Sequence, residues 1–243
     1  MRAPDAAFAD PRLAVLYDVL DDDRTDLDAY LAIADEVDAS SVIDIGCGTG
    51  SLAVRLARTG RTVVGVDPAG ASLDIAWMKP LAERVAWVHG DATALLGRGV
   101  TADLAVMTGN VAQVFVSDED WGSTLAAVHD CLHGGGWLVF ETRRPEVRDW
   151  ERWDAAPMRV DLVGGSSVVV STTVTQVALP LVTFESETTV GGEVVASAST
   201  LRFRERDEVE RDLTEHGFDV IDVRDAPDRP GKELVFLARR VTD

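Results

Sequence analysis

The stretch "SVIDIGCGTGSL", Ser41 to Leu52, places Gly46, Gly48 and Gly50 within five residues, directly after an apolar, β-branched run that contains Asp44. Two further acids close comparable runs: Asp67 ends "RTVVGVD" and Asp91 follows "RVAWVHGD" to its last residue. Glycine raises the entropy cost of folding, so a cluster of three marks a backbone that must turn sharply or let something approach closely. A carboxylate at the tip of the next strand can accept hydrogen bonds from ribose hydroxyls, and ligands of open α/β sheets sit at the carboxyl ends of the strands. A β–α turn that binds nothing is the competing reading of a glycine pair alone. Three consecutive strand ends carrying a glycine loop, an acid and an acid argue against it.

The spacing separates cofactor classes. Nicotinamide and flavin folds use G-x-G-x-x-G so that a helix N-terminus meets a pyrophosphate. Here the glycines read Gly46-Cys47-Gly48-Thr49-Gly50, and Ser51 follows, so the third glycine of that fingerprint is absent. A nicotinamide oxidoreductase is therefore disfavoured.

The elements that must position these residues alternate strand and helix. "SVIDI", "RTVVGVD", "RVAWVHGD", "ADLAVMTG" and "GGWLVFE" read as five strands, with helices over 50–58, 70–78 and 118–132. Continuous apolar strands alternating with helices indicate a parallel sheet covered on both faces. Upstream, 11–20 and 25–38 show helical spacing, with Asp23 or Thr25 able to cap the second. Ser117 caps 118–132, whose first turn holds Asp118, Glu119 and Asp120. From 157 to 204 the sequence predicts β-hairpins punctuated by Gly164-Gly165, Pro180 and Gly191-Gly192. "ERDEVERDLTEHG" reads as a last helix. "FDVIDVRDA" and "KELVFLARR" close the chain as neighbours too tightly connected to be parallel.

At 243 residues the chain can bury one sizeable core with an appended subdomain. Its net charge of −19 disfavours DNA and RNA as partners, since such a surface repels phosphate backbones. The bases are nearly all arginine, Lys79 and Lys232 being the two lysines, a bias that carries little chemistry on its face. Cys47 and Cys131 make no disulfide framework, no Cys/His spacing signals zinc, and no paired carboxylates follow strand four, so no metal is expected. No stretch approaches a membrane span and the N-terminus lacks a signal-peptide core, so a cytoplasmic protein is expected. Oligomeric state is not legible.

These motifs resemble the class I S-adenosylmethionine-dependent methyltransferases. "VIDIGCGTG" is similar to their first motif, "VVGVDPA" to the acidic second, "VHGDAT" to the adenine-contacting third and "CLHGGGWLVFET" to the turn and strand before the active-site rim. The likeness covers residues 40–145 closely and 218–240 more loosely. It implies a Rossmann-like, seven-stranded, mostly parallel sheet with an antiparallel last strand, here with an antiparallel β-insert after strand five. The expected organisation is a helical cap over 1–40, an S-adenosylmethionine-binding core over 41–150, a β cover over the cleft at 151–204, and the last helix and closing hairpin at 205–243.

The resemblance also implies roles. Asp44, Gly46, Cys47, Gly48 and Gly50 would line the cofactor's amino-acid part, Asp67 would hold the ribose, and Pro68 and Ala69 would border the adenine. Gly90, Asp91 and Ala92 would meet its amino edge, and Thr108, Gly109 and Asn110 would pass along the cofactor. Tyr17 and Arg24 could hold the methionine carboxylate, or serve as a core aromatic and a solvated charge. Asn110, Gln113, Glu141 and Arg143 are expected to contact a small-molecule acceptor. Trp150 and Trp153 would wall its pocket or pack a hinge. No nucleophile is required for an activated methyl, and none of His89, His129 and His133 reads as a base. The implied activity is methylation of a small organic molecule, and the competing function is a cofactor-binding module without transfer activity.

Overall fold

The computed structural model describes residues 3–20, 24–162 and 166–242. The sequence-predicted cap at Asp23 and the turn at Gly164-Gly165 lie outside them. Seven strands form one sheet: β1 (Ser41–Ile45), β2 (Thr62–Asp67), β3 (Val85–His89), β4 (Ala102–Met107), β5 (Leu132–Arg143), β10 (Phe218–Asp225) and β11 (Glu233–Arg240). Their order is β10-β11-β5-β4-β1-β2-β3, and β11 alone runs against its neighbours. The order reverses at β1, so the chain leaves β1 and β4 in opposite directions and opens a crevice at their carboxyl ends.

Apolar runs without polar alternation make sense here because both faces are covered. On one side Leu27, Ile33, Leu52 and Leu56, from α4 (Asp26–Glu36) and α5 (Ser51–Arg58), pack on Val42, Val63 and Leu104. On the other, Trp121, Leu125 and Val128 of α7 (Asp118–Cys131) and Leu213 of α8 (Arg206–Glu215) pack on Ile43, Ala105, Leu138 and Phe236. The Ser117 side chain caps α7 by accepting from the Asp120 amide at 3.1 Å. Cys47 and Cys131 are both buried free thiols.

The N-terminal region departs from the expected single helix over 11–20. It forms three one-turn helices, α1 (Ala6–Ala9), α2 (Pro11–Ala14) and α3 (Tyr17–Leu20). Pro11 starts the second at a position where its missing N–H costs nothing. Helix α6 (Gly70–Met78) falls where its spacing predicts, whereas β5 starts three residues before the expected run.

A second sheet follows β5, with strands β6 (Met158–Asp161), β7 (Ser167–Ala178), β8 (Leu181–Val190) and β9 (Glu193–Arg202) paired antiparallel in chain order. Gly191 and Gly192, at φ 60° and 85°, make the tight β8–β9 turn that only residues tolerant of positive φ can form. Trp150 and Trp153 pack beneath this sheet against Phe203 and Phe184. They share one apolar cluster with Val182, Phe203 and Leu201.

Candidate cofactor cleft

The carboxyl ends of β1, β2, β3 and β4 open on one cleft of about 390 Å³. That volume lies in the range of small-molecule sites. Its floor is the glycine turn. Gly46 adopts φ 67°, and a Cβ there would come within 2.5 Å of Val111 Cγ2. Gly50, at φ 77°, lies over the Trp87 ring, which a Cβ would overlap. Gly48, at φ 54°, has open space beside it. The first and third glycines thus let the backbone pack, and the second keeps room above the turn.

Three carboxylates stand around this floor. Asp67 accepts from the Gly48 amide at 2.8 Å through one oxygen and from the Ala69 amide at 2.7 Å through the other. Burial pushes its carboxyl above the ordinary range, against the pull of those two amides. Asp91 accepts from the Thr93 amide at 3.0 Å and so caps the turn after β3. Asp44 is different. It is 1% exposed, and neither carboxylate oxygen completes a hydrogen bond, although the Ala53 amide lies close enough to favour its charge. Burial, followed by the nearby Asp67 charge, raises it to about 7, and the Ala53 amide and Arg24 oppose this only weakly. A buried carboxylate without a completed hydrogen bond is costly, so the position is built for a ligand that brings a donor.

Most residues expected at a cofactor do line this cleft: Tyr17, Arg24, Asp44, Gly46, Cys47, Gly48, Asp67, Pro68, Ala69, Gly90, Asp91, Ala92, Thr108 and Gly109. Two expected residues do not. Gly50 sits below the turn on Trp87 and Ala76, and Asn110 is buried with its amide donating to Glu233 at 3.1 Å.

The expected acceptor contacts lie elsewhere. Glu141 accepts from the Gly109 and Asn110 amides at 2.7 and 3.1 Å and from the Tyr30 hydroxyl. Gln113, 1% exposed, accepts from Arg143 at 2.9 Å and donates to the Arg202 carbonyl. Arg143 reaches Glu233 at 3.6 Å and stacks over Trp153. Gln113, Glu141, Arg143 and Asn110 therefore form a buried polar network behind the cleft wall, rather than part of its lining. Their positions after strands four and five are as the sequence places them, but their side chains turn inward. Trp150 and Trp153 also lie off the cleft.

No residue of the second sheet lines the cleft either. The sheet reaches it indirectly: the Ala7 amide donates to Ser197 Oγ at 2.8 Å, and the Arg202 carbonyl accepts from Gln113. The walls the sequence did not disclose come from the N-terminal segment, through Asp5 and Phe8, and from Phe115, Glu119 and Ser123. "VFVSDED" marks a capped helix start but carries no sign of which way it faces. None of the four histidines lines the cleft. His89 hydrogen-bonds the Pro68 carbonyl at 3.0 Å, at the end of β3.

A mostly parallel sheet with a reversed last strand, a glycine turn after β1 and acids at successive strand tips are the arrangement that the resemblance to class I methyltransferases implies. Residues 42–136 match the family described as a methyltransferase domain. A cypemycin N-terminal methyltransferase from Streptomyces sp. is 31% identical over 117 residues, 48% of this chain and 47% of that protein. The chain spans about half the length of the curated relatives it matches. Among solved structures, an S-adenosylmethionine-dependent methyltransferase from Clostridium acetobutylicum superposes with TM-score 0.78 at 17% identity, covering 95% of this chain and 98% of that one. CalS10, an amino pentose methyltransferase from Micromonospora echinaspora, does so with TM-score 0.68 at 22% identity, covering 93% and 97%. Among the described residues, no helix is long and apolar enough to cross a membrane.

Proposed function

We propose that this chain is an S-adenosylmethionine-dependent methyltransferase acting on a small organic molecule. The observation that carries the reading is the unpartnered, fully buried Asp44 under a glycine turn, with Asp67 and Asp91 at the two neighbouring strand tips of the same cleft. The cofactor's ammonium group supplies the donors that Asp44 lacks. Asp67 uses one backbone amide per oxygen, which leaves lone pairs for two ribose hydroxyls. Asp91 and the Ala92 amide would receive the adenine edge, and Arg24 and Tyr17 would take the carboxylate end. The cofactor supplies an activated sulfonium methyl. The chain's part is then to orient an acceptor and exclude water, which can lower a barrier by about 7–11 kcal/mol.

The net charge of −19 and the amino pentose methyltransferase among the similar structures support a small-molecule acceptor over a nucleic acid. Calorimetry with S-adenosylmethionine and S-adenosylhomocysteine tests the cofactor assignment, and transfer of labelled methyl into a metabolite extract tests the activity. Saturable heat with both compounds and a labelled small product are expected. No heat from folded protein would sink the proposal, and tight binding without transfer would favour a sensor or partner role.

A further inference from the structure

Lys79 and Asp18 have no place in the reading so far, yet they lie at the centre of a closed polar cluster beside the cleft. Lys79, just beyond α6, pairs with Asp18 of α3 at 2.6 Å. It also donates to Ser51 Oγ at 2.7 Å and Thr49 Oγ1 at 3.2 Å. Thr49 Oγ1 in turn donates to the other Asp18 oxygen at 2.6 Å, and Ser51 Oγ to the same oxygen at 3.2 Å. Four side chains from three parts of the chain close a ring. Thr49 is 2% exposed, and Lys79 keeps only 18% of its side chain in water.

Thr49 belongs to the glycine turn and Ser51 starts the helix that follows it, and Asp18 adjoins Tyr17, whose ring lines the cleft next to Phe8 at 5.8 Å. A helix of four residues has no stability of its own, so α3 stays where tertiary bonds hold it. The rest of the N-terminal segment is tied at Ser72 Oγ, which donates to the Phe8 carbonyl at 3.0 Å, and at Ser197. Those two ties fix α1. The Lys79–Asp18 ring ties α3 to the turn through four side-chain contacts and the ion pair.

We infer that Lys79 and Asp18 are positioning residues for the cofactor: their ion pair, threaded through Thr49 and Ser51, clamps α3 onto the glycine turn and holds Tyr17 as the wall over the cofactor's amino-acid end. The inference rests on the methyltransferase reading. It assigns the chain's one cleft-side lysine a role that a merely solvated charge would not have.

The test is a double-mutant cycle on the whole chain, with Lys79→Met, Asp18→Asn and the double variant titrated with S-adenosylmethionine by calorimetry. Asp18→Asn keeps the side chain's shape and an acceptor oxygen for Thr49, so folding is preserved, and urea midpoints verify it. A hydrogen-bonded ion pair of this exposure predicts about a tenfold loss of affinity in each single variant. The double variant should be no worse than either single one, because both remove one clamp. Folded single variants that bind within about twofold of wild type, or losses that simply add in the double, overturn the inference. A wild-type protein that gives no heat with the cofactor overturns the methyltransferase reading itself, and this inference with it.

Discussion

A fully buried carboxylate that completes no hydrogen bond works against the fold that contains it. Asp44, raised to about 7 by burial and then by Asp67, is ionised above neutrality in the folded protein. In the unfolded chain it would ionise near its ordinary value. The native state therefore binds the extra proton between about pH 4 and 7, and stability falls as pH rises through that window. The whole penalty is present above pH 7, on the order of 4 kcal/mol. Asp44→Asn removes the charge but leaves an unpartnered amide, which costs about 1–3 kcal/mol. The variant should consequently be stabilised by about 2 kcal/mol near pH 8, with the gain shrinking toward pH 4. Urea unfolding at several pH values reads this. Its affinity for S-adenosylmethionine should collapse in the same preparation. A variant that is less stable than wild type at high pH would contradict the burial argument.

The glycine turn shows what can be read from sequence at the scale of an element. Its position after an apolar strand, and the acids closing the next two strands, are one-dimensional facts. They lead directly to the sheet edge and to the part of the cleft lining that the strand ends supply. What each glycine does is not one-dimensional. Gly46 yields to Val111 from beyond β4 and Gly50 to Trp87 from β3, contacts set by packing. Gly46→Ala is expected to cost about 2–3 kcal/mol, since it combines positive φ with a clash. Gly48→Ala carries the φ strain alone, about 1 kcal/mol, but intrudes into the cleft. Thermal melts should rank Gly46→Ala as the less stable variant, and Gly48→Ala should lose cofactor binding out of proportion to its stability. The expected acceptor group failed to reach the cleft for a related reason. Sequence places Glu141 at the right strand end, but strand residues alternate faces and the pairing decides which face is which. Glu141 points back to pin the Gly109–Asn110 amides. Glu141→Leu should then cost about 3 kcal/mol in urea unfolding, by orphaning two amides and the Tyr30 hydroxyl. The three short N-terminal helices were illegible because one turn is too short to show a period.

At the scale of the whole molecule, the net charge of −19 is a field as well as a solubility feature. The cleft concentrates it: Asp5, Asp44, Asp67, Asp91, Glu119 and Asp120 line it, against Arg24 as the single base among its lining residues. A cleft with one sign of charge and low-dielectric walls raises the local concentration of oppositely charged ligand and speeds its capture. S-adenosylmethionine carries a sulfonium, an ammonium and a carboxylate, so it is a net cation. S-adenosylhomocysteine lacks the sulfonium charge and is neutral overall. The two are nearly the same shape, which makes them a matched pair for isolating the field. Raising ionic strength from about 0.02 to 0.3 M shortens the screening length from roughly 20 to 6 Å. The association rate of S-adenosylmethionine, followed by stopped-flow tryptophan fluorescence, should then fall several-fold, on the order of the lower end of steered encounters. That of S-adenosylhomocysteine should hardly change. Equal salt slopes for the two would mean that the acidic cleft does not steer its ligand, and that the charge serves the surface alone.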